Sequence, residues 1–362
     1  MPELNSSTII KRKNVMKNIL NLSKKELEEY CTANGFKKYG AEQIMRWIYQ
    51  NRIFDFSIMS DVSKDLREKL DKDFYVKLSG IIDVKYENDG NGYSKKYLIN
   101  FENGDIVESI SIAHKNRRTL CVSSQVGCRM GCVYCETAGM GFSRNLTSGE
   151  IISQLLSVEN YENDKITNIV FMGMGEPLDN IVEVEKALEI MSNGKFIGIA
   201  PRKITVSTCG LINVLEGFDI NDYKYKIAIS LNAADNETRS MLMPVNKKFP
   251  IEKITELVNF KKPSLHNKIT LEYVLIKDLN DRIEDAKRII KLFSPSKVKV
   301  NLIPLNKAEN SFYLKNFERP DNFTVDKFKT KLSNAGFTVT VRFSKGGSIN
   351  GGCGQLKAQT KR

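Results

Sequence analysis

The chain has 362 residues, of which 41% are hydrophobic and 27% charged, and its formal net charge is +12. This composition is ordinary for a soluble globular protein. No apolar run reaches the roughly 18 residues of a membrane span, and no secretory signal precedes the fold, so we expect no membrane association and a cytoplasmic location. The excess of Lys and Arg favours a polyanionic partner, because these side chains release counterions from phosphates. A surface that is basic only for solubility is the alternative.

Cap residues and apolar spacing predict a small helical module over residues 1–78. Ser23-x-x-Glu26 matches a capping box, and the helix that it opens is expected to end before Gly35. Apolar residues at helical spacing over 44–48 predict a second helix. Ser63 is expected to cap a third.

Alternation of apolar and polar residues follows the helical module, over residues 79–113. Two turn motifs, Asn91-Gly92 and Asn103-Gly104, separate the alternating runs and favour hairpins. We therefore expect a β-meander that links the module to the rest of the chain. Its strands are predicted over 81–86, 93–101 and 105–112.

Short apolar strands alternate with helices over residues 114–350, which predicts a parallel sheet with crossover helices. The fold class is therefore α/β, with six or seven units that suit a full or partial (β/α) barrel. Such folds bind their ligands at the carboxyl ends of the strands. Strands are predicted over 119–123, 168–172, 203–209, 226–231, 268–276, 297–304 and 338–343. Helices are predicted after a capping box at Thr147 and Glu150, and over 182–191, 282–293 and 324–335.

Three of the seven cysteines, Cys128, Cys132 and Cys135, fall within the eight-residue segment CRMGCVYC. Soft thiolates select iron–sulfur clusters, zinc or copper(I). Structural zinc usually has four ligands arranged as two pairs, whereas this segment offers three. Three thiolates on a four-iron cluster leave one iron open for a small molecule, and this spacing is typical of radical S-adenosylmethionine (SAM) enzymes. Zinc binding and three inert buried thiols are the alternatives.

A glycine-rich turn, FMGMGEP over 171–177, follows the second predicted barrel strand. Glycines let the backbone approach a ligand closely, and the carboxylate of Glu176 suits the ammonium group of SAM. A glycine-rich turn by itself is often only a strand-to-helix connection. Beside the cysteine segment, it favours one site shared by cluster and SAM.

Five segments together resemble the RlmN/Cfr family of radical SAM RNA methyltransferases. They are CVSSQVGC from Cys121, the three-cysteine segment, GFSRNLT from Gly141, GMGEPL from Gly173 and CGQL from Cys353. The resemblance covers nearly the whole chain. It implies methylation of an adenosine of 23S rRNA, at carbon 2 in the RlmN branch, which also modifies some tRNAs, and at carbon 8 in the Cfr branch. Pro177 and segment 121–128 are more similar to the RlmN branch.

The resemblance also implies roles for single residues. Cys353, in the C-terminal segment 351–362, corresponds to a cysteine that takes a methyl group from one SAM. Cys121 corresponds to the cysteine that resolves a protein–RNA adduct through a transient disulfide with Cys353, and Glu108 to a proton acceptor. One [4Fe–4S] cluster per chain, two SAM molecules per turnover, a low-potential electron donor and a monomer are expected. The implied SAM contacts are Gly175, Glu176, Ser207, Ser230, Leu231, Asn232 and Asn306.

The sequence departs from the family pattern near the expected site. Asn232 stands where His is usual, Asn350 where Asp is usual, and Glu136 where Ser or Ala is usual. Asn cannot titrate near neutral pH as His does. The cluster cysteines and both working cysteines are intact, so the departures bear on the substrate more than on the reaction. Three alternatives stay open: carbon-8 methylation, a paralogue with another RNA target, and a non-catalytic iron–sulfur or zinc protein that binds RNA.

Overall fold

The structure is a computed structural model, and it describes residues 16–88, 90, 92–262, 267–306, 317–342 and 349–358. The chain divides into two compact units, Met1–Lys77 and Leu78–Arg362. Asn91 of the first predicted hairpin turn and Phe343 of the last predicted strand lie outside the described residues. Across the described ranges, no helix is long and apolar enough to cross a membrane.

The first unit is helical, as predicted. The Ser23 hydroxyl accepts a hydrogen bond from the Glu26 N–H at 3.1 Å, and the Glu26 carboxylate accepts one from the Ser23 N–H at 2.7 Å, which completes the capping box. Ser63 is the N-cap residue of the third helix, as predicted, although its side chain makes no capping hydrogen bond. The elements are β1 Lys17–Asn18, α1 Lys24–Ala33, α2 Tyr39–Met45, a π-helical turn Arg46–Gln50, α3 Lys64–Asp73 and β2 Phe74–Tyr75.

The second unit alternates strands and helices. Its strands are β3 Gly80–Asn88, β4 Tyr93–Asn100, β5 Ile106–His114, β6 Arg117–Cys121, β7 Gln125–Gly127, β8 Phe142–Asn145, β9 Asn168–Phe171, β10 Ile204–Thr208, β11 Lys226–Ser230, β12 Ile269–Leu275, β13 Val298–Pro304 and β14 Thr338–Val341. Its helices are α4 Glu136–Gly139, α5 Ser148–Glu162, α6 Ile181–Ser192, α7 Ile212–Leu215, α8 Asn236–Leu242, α9 Ile251–Phe260, α10 Ile283–Leu292 and α11 Asn322–Asn334.

One ten-stranded sheet organises this unit, in the order β14-β13-β12-β11-β10-β9-β6-β5-β4-β3. In this sheet β6 and β9 to β14 run parallel. The strands β3, β4, β5 and β6 pair antiparallel, each with the next. The predicted α/β fold with a partial barrel is confirmed. The meander extends the barrel sheet without a break, because Ile110 of β5 pairs with Cys121 of β6.

The two faces of the parallel strands differ in chemistry. Outward residues such as Val206, Ile229 and Leu271 are buried and apolar, and α5 and α6 contribute apolar residues that are also buried. The core of this unit therefore lies between sheet and helices. Inward residues are mostly polar, as at Ser207 and Ser230. An interior of this kind is not packed with branched side chains as a closed barrel is.

Candidate active site

The three clustered cysteines lie on the loop that follows β7. The last of them, Cys135, is the N-cap of α4. The strands β7 and β8 pair antiparallel at the base of this loop. There the Cys128 N–H donates to the Gly141 carbonyl at 2.8 Å. Gly127 has a φ of +75°, and a Cβ at this position would lie 1.9 Å from the same carbonyl oxygen. Glycine is therefore required to start the loop.

The glycine-rich turn packs against the segment that leads into the cysteine loop. The Ser124 N–H donates to the Met174 carbonyl at 2.8 Å, and the Met174 N–H donates to the Ser123 hydroxyl at 2.9 Å. Gly175 has a φ of +98°, and a Cβ there would lie 2.5 Å from the Cβ of Gln125. These contacts hold the turn beside the cysteine loop.

A cleft with about 890 Å³ of empty space, counted to its open mouth, lies between the loop, the turn and the barrel strands. Ser207 and Ser230 line it from the carboxyl ends of β10 and β11, which is where such folds bind their ligands. The predicted site residues that line the cleft are Cys128, Cys132, Cys135, Gly175, Glu176, Ser207, Ser230, Asn232 and Cys353.

Two predicted SAM contacts, Leu231 and Asn306, do not line this cleft. The Leu231 side chain is fully buried, so the structure does not place it in the cleft. The Nδ2 atom of Asn306 is buried and has no hydrogen-bond partner among the described residues. A buried amide nitrogen without a partner is costly, and a bound ligand would satisfy it.

Two polar residues of the cleft already bind protein groups. The Glu176 carboxylate accepts hydrogen bonds from the Cys209 N–H at 2.8 Å and the Leu178 N–H at 3.0 Å, while burial raises its pKa. Asn232, at a φ of +54°, donates to the Tyr134 hydroxyl at 2.5 Å and accepts from the Val274 N–H at 2.8 Å. Both side chains therefore fix the walls of the cleft. The carboxylate of Glu176 retains lone pairs for a cation.

The three clustered thiols line one cleft. Within the described ranges, no group of three His, Cys, Asp or Glu side chains is arranged to hold a single metal ion. Three thiolates can each bind a different iron of a four-iron cluster, whereas structural zinc usually has four ligands. Burial raises the pKa of Cys128 to about 12 and also raises the pKa of Cys132, with the neighbouring thiols adding to the shift at Cys132. Thiolates there require a bound cationic group.

A smaller cavity beside the cleft brings Cys121 and Cys353 together, with Arg342 and Met172 also in its wall. Burial raises the pKa of the Cys121 thiol to about 12, and the neighbouring Cys353 raises it further, while the Arg342 guanidinium opposes both. Cys353 is also the main cause of a raised pKa at Arg342. Both thiols are free in this structure. The arrangement places two cysteines and one cation at the edge of the cleft.

The segment that carries Cys353 is clamped to the cysteine loop. The Glu136 N–H donates to the Gly354 carbonyl at 2.8 Å, and the Thr137 hydroxyl donates to the Leu356 carbonyl at 2.7 Å. The ammonium group of Lys357 lies 3.6 Å from the buried Glu136 carboxylate. These contacts fix Cys353 at the cleft, and the charge of Lys357 offsets that of Glu136, the residue after Cys135.

Glu108, the predicted proton acceptor, is buried on β5 under the same segment. Its carboxylate forms an ion pair with Lys96 at 2.9 Å and accepts the Lys357 N–H at 2.9 Å. The Lys96 ammonium also donates to the Asn350 carbonyl at 3.5 Å. Glu108 is therefore tied to the segment on both sides of Cys353, although it does not line the cleft.

Sequence reasoning missed several residues of the site. Arg239 is fully buried and donates to the carbonyls of Cys209 and Leu231, at 2.8 and 3.0 Å, so it ties the ends of two barrel strands together. Glu272 lines the cleft from β12. No motif marks Arg239 or Glu272; only the alternation of inward residues along β12 could have indicated the latter.

Two family profiles match the chain. One is the ribosomal RNA large subunit methyltransferase N-terminal domain, over residues 17–76, and the other is the radical SAM superfamily, over residues 122–292. The first match falls within the helical unit. The second contains the cysteine loop, the glycine-rich turn and the strand ends that form the cleft.

Several relatives are similar over nearly their whole length. A probable dual-specificity RNA methyltransferase RlmN of Clostridium novyi (strain NT) is 38% identical over 342 residues, 94% of this chain and 98% of the relative. The dual-specificity RNA methyltransferase RlmN of a Nitratiruptor species is 40% identical, over 95% of this chain and 99% of the relative. The crystal structure of a radical SAM methyltransferase from Sphaerobacter thermophilus has a TM-score of 0.83 and 32% identity, and covers 95% of this chain and 100% of that chain.

Proposed function

This chain belongs to the RlmN family of radical SAM RNA methyltransferases, and we propose that it methylates carbon 2 of an adenosine in 23S rRNA, with tRNA as a second substrate. The observation that carries the proposal is the small cavity that holds both Cys121 and Cys353 beside the cleft of the cysteine loop. A methyl-carrying and a resolving cysteine must reach the same atoms, and side chains that share one cavity meet that condition.

The family implies a [4Fe–4S] cluster and SAM as cofactors. Cys128, Cys132 and Cys135 would hold the cluster, and the remaining iron would be open to SAM in the cleft of Gly175, Glu176, Ser207 and Ser230. When bound, this pair supplies one-electron cleavage of SAM and hydrogen-atom abstraction. We infer one cluster per chain, two SAM molecules per turnover, an external low-potential electron donor and a monomer.

The protein's own residues carry and release the methyl carbon. In the proposal, the Cys353 thiolate attacks the methyl carbon of one SAM, a carbon–sulfur bond forms, and S-adenosylhomocysteine leaves with the electron pair of the broken bond. That carbon must lose a hydrogen atom, to the radical formed from the second SAM, before it bonds to the adenine, and the adduct must then give up one electron and the proton of the ring carbon. The Cys121 thiolate next attacks the sulfur of Cys353. A disulfide forms, the carbon–sulfur bond breaks, its electron pair stays on the carbon, and a proton completes the methyl group. Two electrons must then reduce the disulfide before the next turnover.

Glu108 is proposed to accept the proton that leaves the adenine ring carbon. Its carboxylate is held by Lys96 at 2.9 Å and by the Lys357 N–H at 2.9 Å, so its position is coupled to the segment of Cys353. A base must come within hydrogen-bond reach of the proton that it takes, and catalytic contacts often tighten only with substrate bound. Movement of the Cys353 segment with RNA would therefore move the Glu108 carboxylate with it.

Nucleoside mass spectrometry tests the proposed function. Reconstituted protein is incubated anaerobically with SAM, a reductant and fragments of 23S rRNA, and in parallel with tRNA. The expected product is 2-methyladenosine. Formation of 8-methyladenosine would overturn the carbon-2 assignment, SAM cleavage with neither nucleoside would overturn both RNA substrates, and protein that binds zinc and no iron would overturn the radical chemistry.

The Lys357→Met substitution is expected to lower the reduction potential of the cluster, on the order of tens of millivolts. It leaves the buried Glu136 carboxylate, next to Cys135, without its ammonium partner at 3.6 Å, and an extra negative charge disfavours reduction. Lys357 is half-exposed, so solvent screening limits the effect. A redox titration followed by electron paramagnetic resonance measures it. Lys357→Arg, which keeps the charge, should retain the potential; equal potentials for the Met variant and wild type would contradict the expectation.

A further inference from the structure

A second cavity lies inside the barrel at the amino-terminal ends of its strands, and the chemistry described above does not use it. It contains about 1,630 Å³ of empty space, counted to its open mouth. Met172 and Glu272 line both this cavity and the cleft of the cysteine loop. Arg342 lines both this cavity and the smaller cavity that holds Cys121 and Cys353. The cavity at the amino-terminal mouth is therefore adjacent to the reaction site, with the side chains of Met172, Glu272 and Arg342 between them.

The inward faces of β6 and β11 begin with a basic residue at the mouth and carry none farther along the strand. In β6 the inward residues are Arg117, Thr119 and then Cys121. In β11 Lys226 stands at the mouth and Ser230 at the cleft. Parallel strands that are buried on both faces are usually continuous apolar runs. Polar residues on the inward face of this sheet therefore indicate a channel that holds a polar ligand.

The mouth of the channel concentrates positive charge. Arg117, Lys226 and Lys299 line it, and in the described part of the chain none of the three forms an ion pair with a carboxylate. Partial burial lowers the pKa of Lys226, and the charges of Lys299, Arg117 and Arg202 lower it further. Cations that repel one another at the rim of a cavity favour binding of an anion there.

The inner end of the channel carries both charges, because Glu272 and Arg342 line it together. Glu272 is buried and accepts a hydrogen bond from the Asn301 amide at 2.6 Å, and Asn301 in turn accepts one from the Thr340 hydroxyl at 2.8 Å. The charges of Glu272 and Arg342 act on each other and offset, so this end favours a neutral group that forms hydrogen bonds. A ligand that matches the channel therefore has an anionic end at the mouth and a neutral, hydrogen-bonding end inside.

The length of the channel suits one nucleotide. Arg117 and Cys121 are four positions apart along β6, and Lys226 and Ser230 are four positions apart along β11. At roughly 3.3 Å per residue, the basic mouth lies about 13 Å from the reaction site. A nucleotide that enters base-first spans a distance of this order between its phosphate and the far edge of its base.

We propose that the target nucleotide of the RNA enters the barrel through its amino-terminal mouth, base-first, and that Arg117, Lys226 and Lys299 bind the phosphates that flank it. This inference rests on the proposed function, and it adds the route and the phosphate contacts of the substrate. The base then passes the polar wall of Thr119, Glu272 and Asn301 toward Cys353.

The test compares two double variants that lose the same charge. Lys226→Gln/Lys299→Gln alters the mouth, whereas Lys291→Gln/Lys329→Gln alters exposed lysines of α10 and α11. Affinity for an RNA hairpin that contains the target adenosine is measured over a range of salt concentrations, together with methylation by the wild type. Binding of SAM and cluster absorbance report whether each variant is folded.

The mouth variant is expected to bind the hairpin on the order of tenfold more weakly, and the slope of log K against log salt should fall by about 2, since each lost phosphate contact releases about 0.9 counterion less. The control variant should keep the wild-type slope. Wild-type affinity and slope in the mouth variant, with active wild-type enzyme, would overturn the route and leave the proposed function standing. If the wild type methylates no RNA, the proposed function fails and this inference fails with it. A misfolded mouth variant is replaced by Lys226→Met and Lys299→Met singly, each with an expected slope change of about 1.

Discussion

The Cys353→Ala variant is expected to form no methylated nucleoside above background, a loss of at least about 10³-fold, while cleavage of SAM remains measurable. In the proposal the sulfur of Cys353 carries the methyl carbon, so no other residue substitutes for Cys353. Cys353 is one residue of the cleft wall, and the three clustered cysteines and the rest of the wall are unchanged in this variant, so cofactor binding should persist. Product is measured by nucleoside mass spectrometry, and 5′-deoxyadenosine by chromatography.

Cys31→Ala is the matched control for this experiment. Cys31 is fully buried in α1 of the first unit and is free, so the same sulfur is lost away from the cleft. The Cys31→Ala variant should methylate RNA at a rate near that of the wild type. Methylated nucleoside from the Cys353→Ala variant at a rate comparable to the wild type would exclude a methyl-cysteine intermediate, whereas loss of SAM cleavage as well would mean that Cys353 is needed for the cofactor site itself.

Local features of the fold could be predicted from the sequence. Ser23 with Glu26, and Thr147 with Glu150, form the capping boxes that their spacing indicates, because a capping box depends on only four successive residues. The cysteine loop and the glycine-rich turn were likewise recognised as short motifs. Family membership, inferred from five such segments, is confirmed by relatives that align over 94% of the chain or more.

Long-range features could not be predicted in the same way. Lys357 contacts Glu136 and Glu108 across more than two hundred residues of chain, and nothing near any of the three marks the others as a partner. The pairing of β7 with β8 was also missed, because strands of three and four residues leave too little alternation to detect. The basic mouth of the barrel emerges only when Lys226 and Lys299 are brought together by the sheet.

The structure also gives physical meaning to two departures from the family pattern. Glu136 brings a negative charge beside the cluster cysteines, and Lys357 compensates it from the C-terminal segment. Asn232 uses its amide to join the Tyr134 hydroxyl to the N–H of Val274, so it connects the cysteine loop to β12 without a titratable group. Both positions therefore support the cleft by contacts that do not depend on the usual residue.

The Gly175→Ala variant is expected to lose SAM affinity at least tenfold, because the glycine-rich turn can no longer pack on Gln125. At a φ of +98° an alanine costs roughly 1–2 kcal/mol. Its Cβ would also lie 2.5 Å from the Gln125 Cβ and 2.8 Å from the Gln125 nitrogen, so the turn or the segment before the cysteine loop must move. A shift of about 1 Å at a positioning contact is enough to cost a hundredfold in rate. Isothermal titration of reconstituted protein with SAM measures the affinity.

Gly104→Ala separates the effect of backbone conformation from the effect of the overlap. Gly104 has a φ of +86° in the turn between β4 and β5, but a Cβ there would have no heavy atom within 4 Å. This variant should lose a similar amount of stability through its backbone and keep wild-type affinity for SAM. If both variants bind SAM equally well, the contact between Gly175 and Gln125 does not position the cleft. If only Gly175→Ala is impaired, the close approach of the turn to the cysteine loop is what SAM binding requires.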